Sequence, residues 1–93
     1  MGGIRELHWD EANEEHIARH HVTTDEVEEV CFGRHWMLRA SGRKCKAVFG
    51  QTASGRYLLV ILEMSDYDEY YVITARDMDQ AERRRYQAWR GRR

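Results

Sequence analysis

The order of apolar and polar positions divides the chain into helical and extended segments. Apolar side chains recur at helical spacing over residues 11–20, and Asp10 stands where an N-cap residue is expected. A second helix is predicted directly afterwards, with Thr23 or Thr24 as its N-cap and Gly33 at its end. The N-terminal third of the chain is therefore expected to be helical.

The middle of the chain favours strands. In the second predicted strand Cys45, Ala47 and Phe49 alternate with lysines, which predicts one apolar face and one lysine-bearing face. The third is apolar at nearly every position, as expected for a central strand covered on both sides. Short runs rich in Ser, Gly and Asp separate the strands. The predicted strands are residues 36–40, 44–52, 57–64 and 69–76.

A final helix follows the last strand, with Asp77 or Asp79 as its N-cap and with Met78, Tyr86 and Trp89 available for packing. The chain has 93 residues, of which 42% are hydrophobic, so it can build one core. The sequence therefore predicts a single α+β domain over residues 1–93. Its expected parts are two N-terminal helices, a four-stranded antiparallel sheet and a C-terminal helix.

Charge is segregated along the chain, although the net charge is only −1. Between Glu6 and Glu29 the only Lys or Arg is Arg19, whereas no acidic residue occurs between Val30 and Leu62. The C-terminal segment from residue 83 onwards also carries arginines and no acid. One basic side is expected, and because guanidinium groups fit phosphate, RNA is the first partner to consider.

Neither a membrane span nor a signal peptide is recognisable. The longest apolar run, residues 58–62, is far shorter than the ~20 residues that cross a bilayer. We therefore expect a cytoplasmic protein with no membrane partner, in which Cys31 and Cys45 stay free thiols. The sequence does not decide between a monomer and a homodimer.

Six segments, in this order and spacing, resemble a known family. They are His8-Trp9-Asp10, Arg19-His20-His21-Val22, Phe49-Gly50-Gln51-Thr52, Gly55-Arg56-Tyr57-Leu58, Ile73-Thr74-Ala75-Arg76 and Glu82-Arg83-Arg84-Arg85-Tyr86. The chain resembles the BrnT family of type II toxins, which are small ribonucleases with a RelE-like fold. It departs from the family at Glu11, where Pro is frequent, and at His21, where Gly is frequent.

This resemblance implies an endoribonuclease toxin that cleaves RNA, inhibits translation and is neutralised by a cognate ribbon-helix-helix antitoxin. RNA can cleave itself through its 2'-hydroxyl, so a protein needs only to position the strand, move protons and offset charge, without a metal or other cofactor. The alternative is a non-catalytic module that binds nucleic acid or protein through the same basic surface.

Arg76, at the end of the last strand, is the first candidate for stabilising the transition-state charge. Arg56 begins the neighbouring strand and is expected to lie close to it. The structural alternative for Arg76 is an ion pair with Asp77, Asp79 or Glu82.

Three further catalytic candidates have competing structural roles. Lys46 is suited to a phosphate contact or a general-acid role, or it lies on a solvated strand face. Tyr86 is suited to stacking on a base or relaying a proton, or it packs on the sheet. An unperturbed imidazole changes charge near neutrality, so His20 is the general-base candidate; the alternative is that it caps backbone or lies satisfied in the core, and its spacing from His16 is only a weak metal signal. Further phosphate contacts are expected from Arg39, Arg43, Lys44, Arg83 and Arg84.

Overall fold

The computed structural model describes residues 3–42 and 44–92 as an α+β fold. The strands are β1 (Glu6–His8), β2 (His35–Arg39), β3 (Cys45–Gln51), β4 (Tyr57–Asp66) and β5 (Glu69–Asp77). The helices are α1 (Glu11–Ala18), α2 (Thr24–Phe32) and α3 (Gln80–Arg90). No helix in these two ranges has the length and apolar character needed to span a membrane.

The strands form one mixed sheet in the order β1-β5-β4-β3-β2. The four predicted strands are present and pair antiparallel. The prediction of a four-stranded antiparallel sheet is nevertheless wrong, because β1 adds a fifth strand that runs parallel to β5. This strand has three residues and buries only Leu7, so it leaves no alternating pattern in the sequence.

Side chains at the helix starts explain where each helix begins. Asp10, Thr23 and Asp79 are the N-caps, and each accepts a hydrogen bond from the backbone N–H of the third helical residue. That third residue bonds back to the cap in all three helices, which forms a capping box and satisfies backbone donors that the helix cannot pair itself. The three predicted starts are confirmed.

The link between α1 and α2 contains His21, at the position where the sequence comparison above would favour Gly. Its φ is 60°, in the left-handed region that Gly adopts freely and His tolerates at some cost. The backbone N–H of Val22 reaches back to the carbonyl of Ile17 at 3.1 Å, which closes the turn, and Val22 is buried. The link therefore turns the chain sharply from α1 into α2.

Both faces of the sheet are covered, which corrects the prediction that β3 has one apolar and one lysine-bearing face. Helices α1 and α2 cover one face, where Val48 is fully buried, while α3 covers part of the other face, where Phe49 is buried. Lys46 lies at one end of β3. On the same face at the other end of the strand, Gly50 lies against α2. A Cβ on Gly50 would come within 2.7 Å of Val30 Cγ1. Gly50 thus lets the helix lie close to the sheet.

Both cysteines are free, as predicted. Cys31 lies in the core under α2, where burial and the nearby Glu28 raise the pKa of its thiol to about 12. Such a thiol stays protonated and behaves as a small apolar side chain. Cys45 is half-buried on the other face of the sheet.

Candidate nucleic-acid interface

The five residues predicted to be catalytic do not meet in one hollow. Arg76 pairs in register with Leu59, whose side chain packs under α3. Lys46 pairs in register with Leu62, whose side chain packs under α1 and α2. Because side chains alternate along a strand, Arg76 and Lys46 project from opposite faces of the sheet. No enclosed cavity forms among residues 3–42 and 44–92. The sheet therefore separates Arg76 from Lys46, and these two residues do not form the one basic side expected from the charge pattern.

Arg76 is held by a carboxylate at the start of α3. Its two terminal nitrogens donate to the two carboxylate oxygens of Glu82, each at 2.9 Å, and Nη1 also donates to the carbonyl of Asp77. Strand β5 ends just before α3 begins, so the capping residue Glu82 lies directly beside the guanidinium. The ion pair considered as the structural alternative for Arg76 is confirmed.

Arg56 lies on the other side of the sheet and joins three elements. Its guanidinium donates to Asp77 Oδ1 at 2.7 Å, to Glu26 Oε1 at 3.0 Å and to the carbonyl of His21 at 2.6 Å. A weaker bond of 3.3 Å reaches the carbonyl of His20. Arg56 therefore fastens the α1–α2 link and the first turn of α2 to the end of β5. We call these contacts the Arg56 clamp.

Acidification is expected to weaken the fold through both ion pairs. The Arg56 guanidinium lowers the pKa of Asp77 below its usual 3.8, and the Arg76 guanidinium lowers that of Glu82 below its usual 4.5. A carboxyl group with a depressed folded-state pKa stabilises the fold above its unfolded pKa, and the stabilisation is lost as the pH falls through the folded value. Urea unfolding should therefore show a falling free energy of unfolding from about pH 4.5 downwards.

Glu82→Gln is the matched variant for this prediction, because Gln keeps the capping box but has no charge to titrate. Its free energy of unfolding should decline less between pH 5 and pH 2.5 than that of the wild type. An identical decline in the two proteins would contradict the assignment to Glu82.

Tyr86 and His20 also lie apart. Tyr86 is 1% exposed and packs its ring edge-on against Tyr57, with the ring centroids 6.0 Å apart. His20 is exposed at the end of α1, 5.6 Å between ring centroids from His16. No group of three metal-ligating side chains occurs in the described part of the chain. The packing role considered for Tyr86 is thus confirmed, and its catalytic role remains a prediction.

The residues predicted to contact phosphate fall into two groups. Arg83 and Arg84 are exposed on α3, whereas Arg39 and Lys44 lie at the hairpin between β2 and β3, at the far end of the sheet. Arg43 lies outside the described residues. The two groups cannot form one patch, because the helix and this hairpin are at opposite ends of the same strands.

Guanidinium groups stacked on aromatic rings distinguish the surface around α3. The guanidinium carbon of Arg83 lies 4.1 Å from the ring centroid of Tyr57, and that of Arg34 lies 5.2 Å from the ring of Trp89. Trp89 stacks in turn on Trp36, with a centroid distance of 5.9 Å. We call this region the arginine–aromatic surface. Its arginines are the stacked Arg34 and Arg83, together with Arg90, whose carbonyl accepts a hydrogen bond from Arg34.

These arginines have no acidic partner in the described part of the chain. The ion pairs there involve Arg5, Arg19, Arg56, Arg76 and His8 instead. Arg34 donates to the carbonyl of Arg90, which also leaves its charge unneutralised. Stacking on a ring holds a guanidinium in one orientation and leaves donors at its edge for a further acceptor. The surface thus presents fixed positive forks to an anion.

Tyr57 has an unusual environment for a surface phenol. Its oxygen accepts a hydrogen bond from Gln87 Nε2 at 3.1 Å. This bond is the main cause that lowers the pKa of Tyr57, and the nearby Arg83 lowers it further. Sequence reasoning did not select Tyr57, since the first residue of an apolar strand is expected in the core. The alternation along β4 was the available signal, because it sets Tyr57 on the same face as Leu59, under α3.

Comparison with known proteins does not add to this description. No protein-family model matches the chain, and no curated protein matches it either.

Proposed function

We propose that this chain binds single-stranded RNA through the arginine–aromatic surface and acts as an endoribonuclease toxin of the BrnT type. The observation that carries the proposal is the set of stacked guanidinium groups without acidic partners. Phosphate suits a planar fork, and unpaired bases suit aromatic and guanidinium planes. The sequence resemblance supports cleavage as the activity, with inhibition of translation as its result.

Cleavage requires charge to be offset at a phosphate while the 2'-hydroxyl attacks and the 5'-oxygen leaves. Arg83 and Arg90 can approach a phosphate without giving up a carboxylate, whereas Arg76 and Arg56 would first have to break their ion pairs. The Tyr57 ring lies against the Arg83 guanidinium, and its hydroxyl is a group that can exchange a proton there. The proposal therefore places the scissile phosphate over Tyr57.

A non-catalytic binding module is the second candidate. It is favoured by the lack of an enclosed cavity among residues 3–42 and 44–92, because a nuclease usually excludes water from the reacting phosphate. In this candidate the same surface holds RNA, and the strand remains intact after long incubation with the protein.

A double variant tests RNA binding. Replacing both Arg83 and Arg90 with Ala should weaken binding of a fluorescent single-stranded RNA. The slope of log affinity against log salt concentration should become less steep by about 1.4, which is roughly 0.7 for each lost phosphate contact. Both side chains are exposed, so the fold should be little affected. Arg19→Ala on the acidic helix α1 is the control and should bind as the wild type does.

Expression in bacteria separates the two candidates. The wild type and Arg19→Ala should arrest growth and the double variant should not, and total RNA from arrested cells should show new cleavage ends. Binding without cleavage or arrest supports the second candidate. Equal affinity of the wild type and the double variant would sink both.

The toxin proposal includes a cytoplasmic location and a ribbon-helix-helix antitoxin encoded next to this chain. Helices α1 and α2 carry exposed acidic side chains, which suits a basic region of such a partner. A small ribbon-helix-helix protein encoded in the adjacent gene, and co-purifying with this chain, is the expected observation.

A further inference from the structure

Strand β2 is an open edge of the sheet. It pairs with β3 on one side only. The N–H of Ala40 donates to the carbonyl of Cys45 at 2.9 Å, so these two residues form a hydrogen-bonded pair. Hydrogen-bonded and non-bonded pairs alternate along two antiparallel strands, and this pair therefore fixes the others. The backbone groups of His35, Met37 and Arg39 must therefore point away from β3. None of them bonds to backbone elsewhere in residues 3–42 and 44–92.

The side chains along this edge alternate in character. Trp36 and Leu38 lie on the face that α3 partly covers and are only half-buried. Phe32, which ends α2 just before the strand, is 52% exposed. Of the features that protect natural edges, β2 carries one charged side chain, Arg39, but no proline or bulge interrupts its pairing with β3. An extended segment could thus continue the sheet here.

Two cations face each other beside this edge without a carboxylate. Arg39 and Lys46 are directly opposite in register, at a non-bonded position where cross-strand side chains come closest. Like charges in such a pair destabilise a sheet. Neither takes part in the ion pairs of the described residues. An acidic group next to Arg39 on the outer side of β2 would offset part of this positive charge.

We propose that the outer edge of β2 binds an extended segment of a partner protein, in which acidic residues alternate with apolar ones. The segment pairs with His35, Met37 and Arg39 as a sixth strand. Its apolar side chains continue the face that holds Trp36 and Leu38, and its acidic side chains lie on the face of Arg39, with one beside the Arg39 guanidinium. This inference does not depend on the RNA proposal, because it rests on the free backbone groups of β2 and on Arg39 and Lys46, although Trp36 borders both surfaces.

The pattern disfavours two other occupants. A second copy of this chain paired symmetrically about Met37 would place Arg39 opposite His35 of that copy and would gather four arginine and lysine side chains at the interface, without adding an acid. RNA could use the two cations, but it cannot satisfy a row of alternating backbone N–H and C=O groups as an extended peptide does.

Amide hydrogen exchange on the full chain tests the pairing directly. The probe is the peptide acetyl-Val-Glu-Val-Glu-Val-Glu-Val-amide, and its counterpart with Lys in place of Glu is the control. Added at saturating concentration, the Glu peptide should slow exchange at the amides of Met37 and Arg39. The amides of Trp36 and Leu38 already bond to β3 and should change little. No added protection, or equal protection from the Lys peptide, would overturn the proposal.

Two variants separate the backbone contribution from the charge. Met37→Pro removes an outward N–H that β3 does not use, and Arg39→Glu reverses a charge at an exposed position. Each should weaken binding of the Glu peptide by at least about tenfold. Arg84→Glu on α3 is the control for charge and should keep the affinity. Arg39→Glu should fold even if Met37→Pro does not, because it relieves the repulsion with Lys46.

The remaining outcomes identify the other occupants. Protection of Met37 and Arg39 that rises with protein concentration in the absence of peptide would assign the edge to a second copy and overturn the proposal. Loss of RNA binding in Arg39→Glu, with no peptide binding in the wild type, would assign the cations to RNA and overturn it as well.

Discussion

Tyr86→Ala is expected to lower the free energy of unfolding by about 3–5 kcal/mol, the cost typical of removing a buried aromatic side chain. Tyr86 is 1% exposed and lies in a cluster with Phe49, Leu59 and Met78. Helix α3 has few large apolar residues, so this ring accounts for much of its attachment to the sheet. Urea unfolding followed by circular dichroism measures the loss.

Tyr86→Phe is the matched control, because it removes only the hydroxyl and should cost less than about 1 kcal/mol. Its RNA binding and growth arrest should equal those of the wild type if Tyr86 only packs. A Tyr86→Phe variant that is stable but does not cleave RNA would instead support the proton-relay role predicted from the sequence. A Tyr86→Ala variant as stable as the wild type would show that α3 does not depend on this ring.

Arg56→Ala is expected to cost roughly 2–3 kcal/mol, because hydrogen bonds between charged groups are among the stronger ones and the carbonyl of His21 loses its donor. The Arg56 clamp also holds a link that contains a left-handed residue, so its loss should loosen the connection between α1 and α2. For a domain of this size the change corresponds to a fall in Tm of about 10–20 °C.

Two comparisons make the Arg56 prediction specific. Arg19→Ala removes an exposed ion pair with Glu15 one helical turn away and should cost no more than about 0.5 kcal/mol. Arg56→Lys keeps the charge but loses the planar fork that reaches three elements, so its stability should lie between those of the wild type and Arg56→Ala. If Arg56→Ala and Arg19→Ala were equally stable, the clamp would have no energetic role.

Local signals in the sequence predicted the helices and the four longer strands well. Capping residues such as Asp10 and Asp79 act within one turn, and the continuous apolar run of β4 reflects burial on both faces, so both can be seen in a short window. Strand β1 could not be found in this way, because its three residues pair with Glu69, Tyr70 and Tyr71, more than sixty positions further along the chain.

The candidate site was predicted less well, for a different reason. The type of a residue shows what it can do, but its partner depends on which face of the sheet it occupies. Arg76 and Glu82 are six residues apart, and only the turn from β5 into α3 brings them together. The sequence selects Tyr86 for RNA and places Tyr57 in the core, yet Tyr86 is buried and Tyr57 is only half-buried.

The parallel pairing of β1 with β5 has a consequence for biosynthesis. A growing polypeptide exposes Leu7 before its partner strand exists, because β5 is synthesised more than sixty residues later. Strand β1 therefore cannot pair until β5 has been synthesised, and this pairing is one of the longest-range steps in the folding reaction. Until it forms, the outer side of β5 remains an unprotected strand available to other nascent chains.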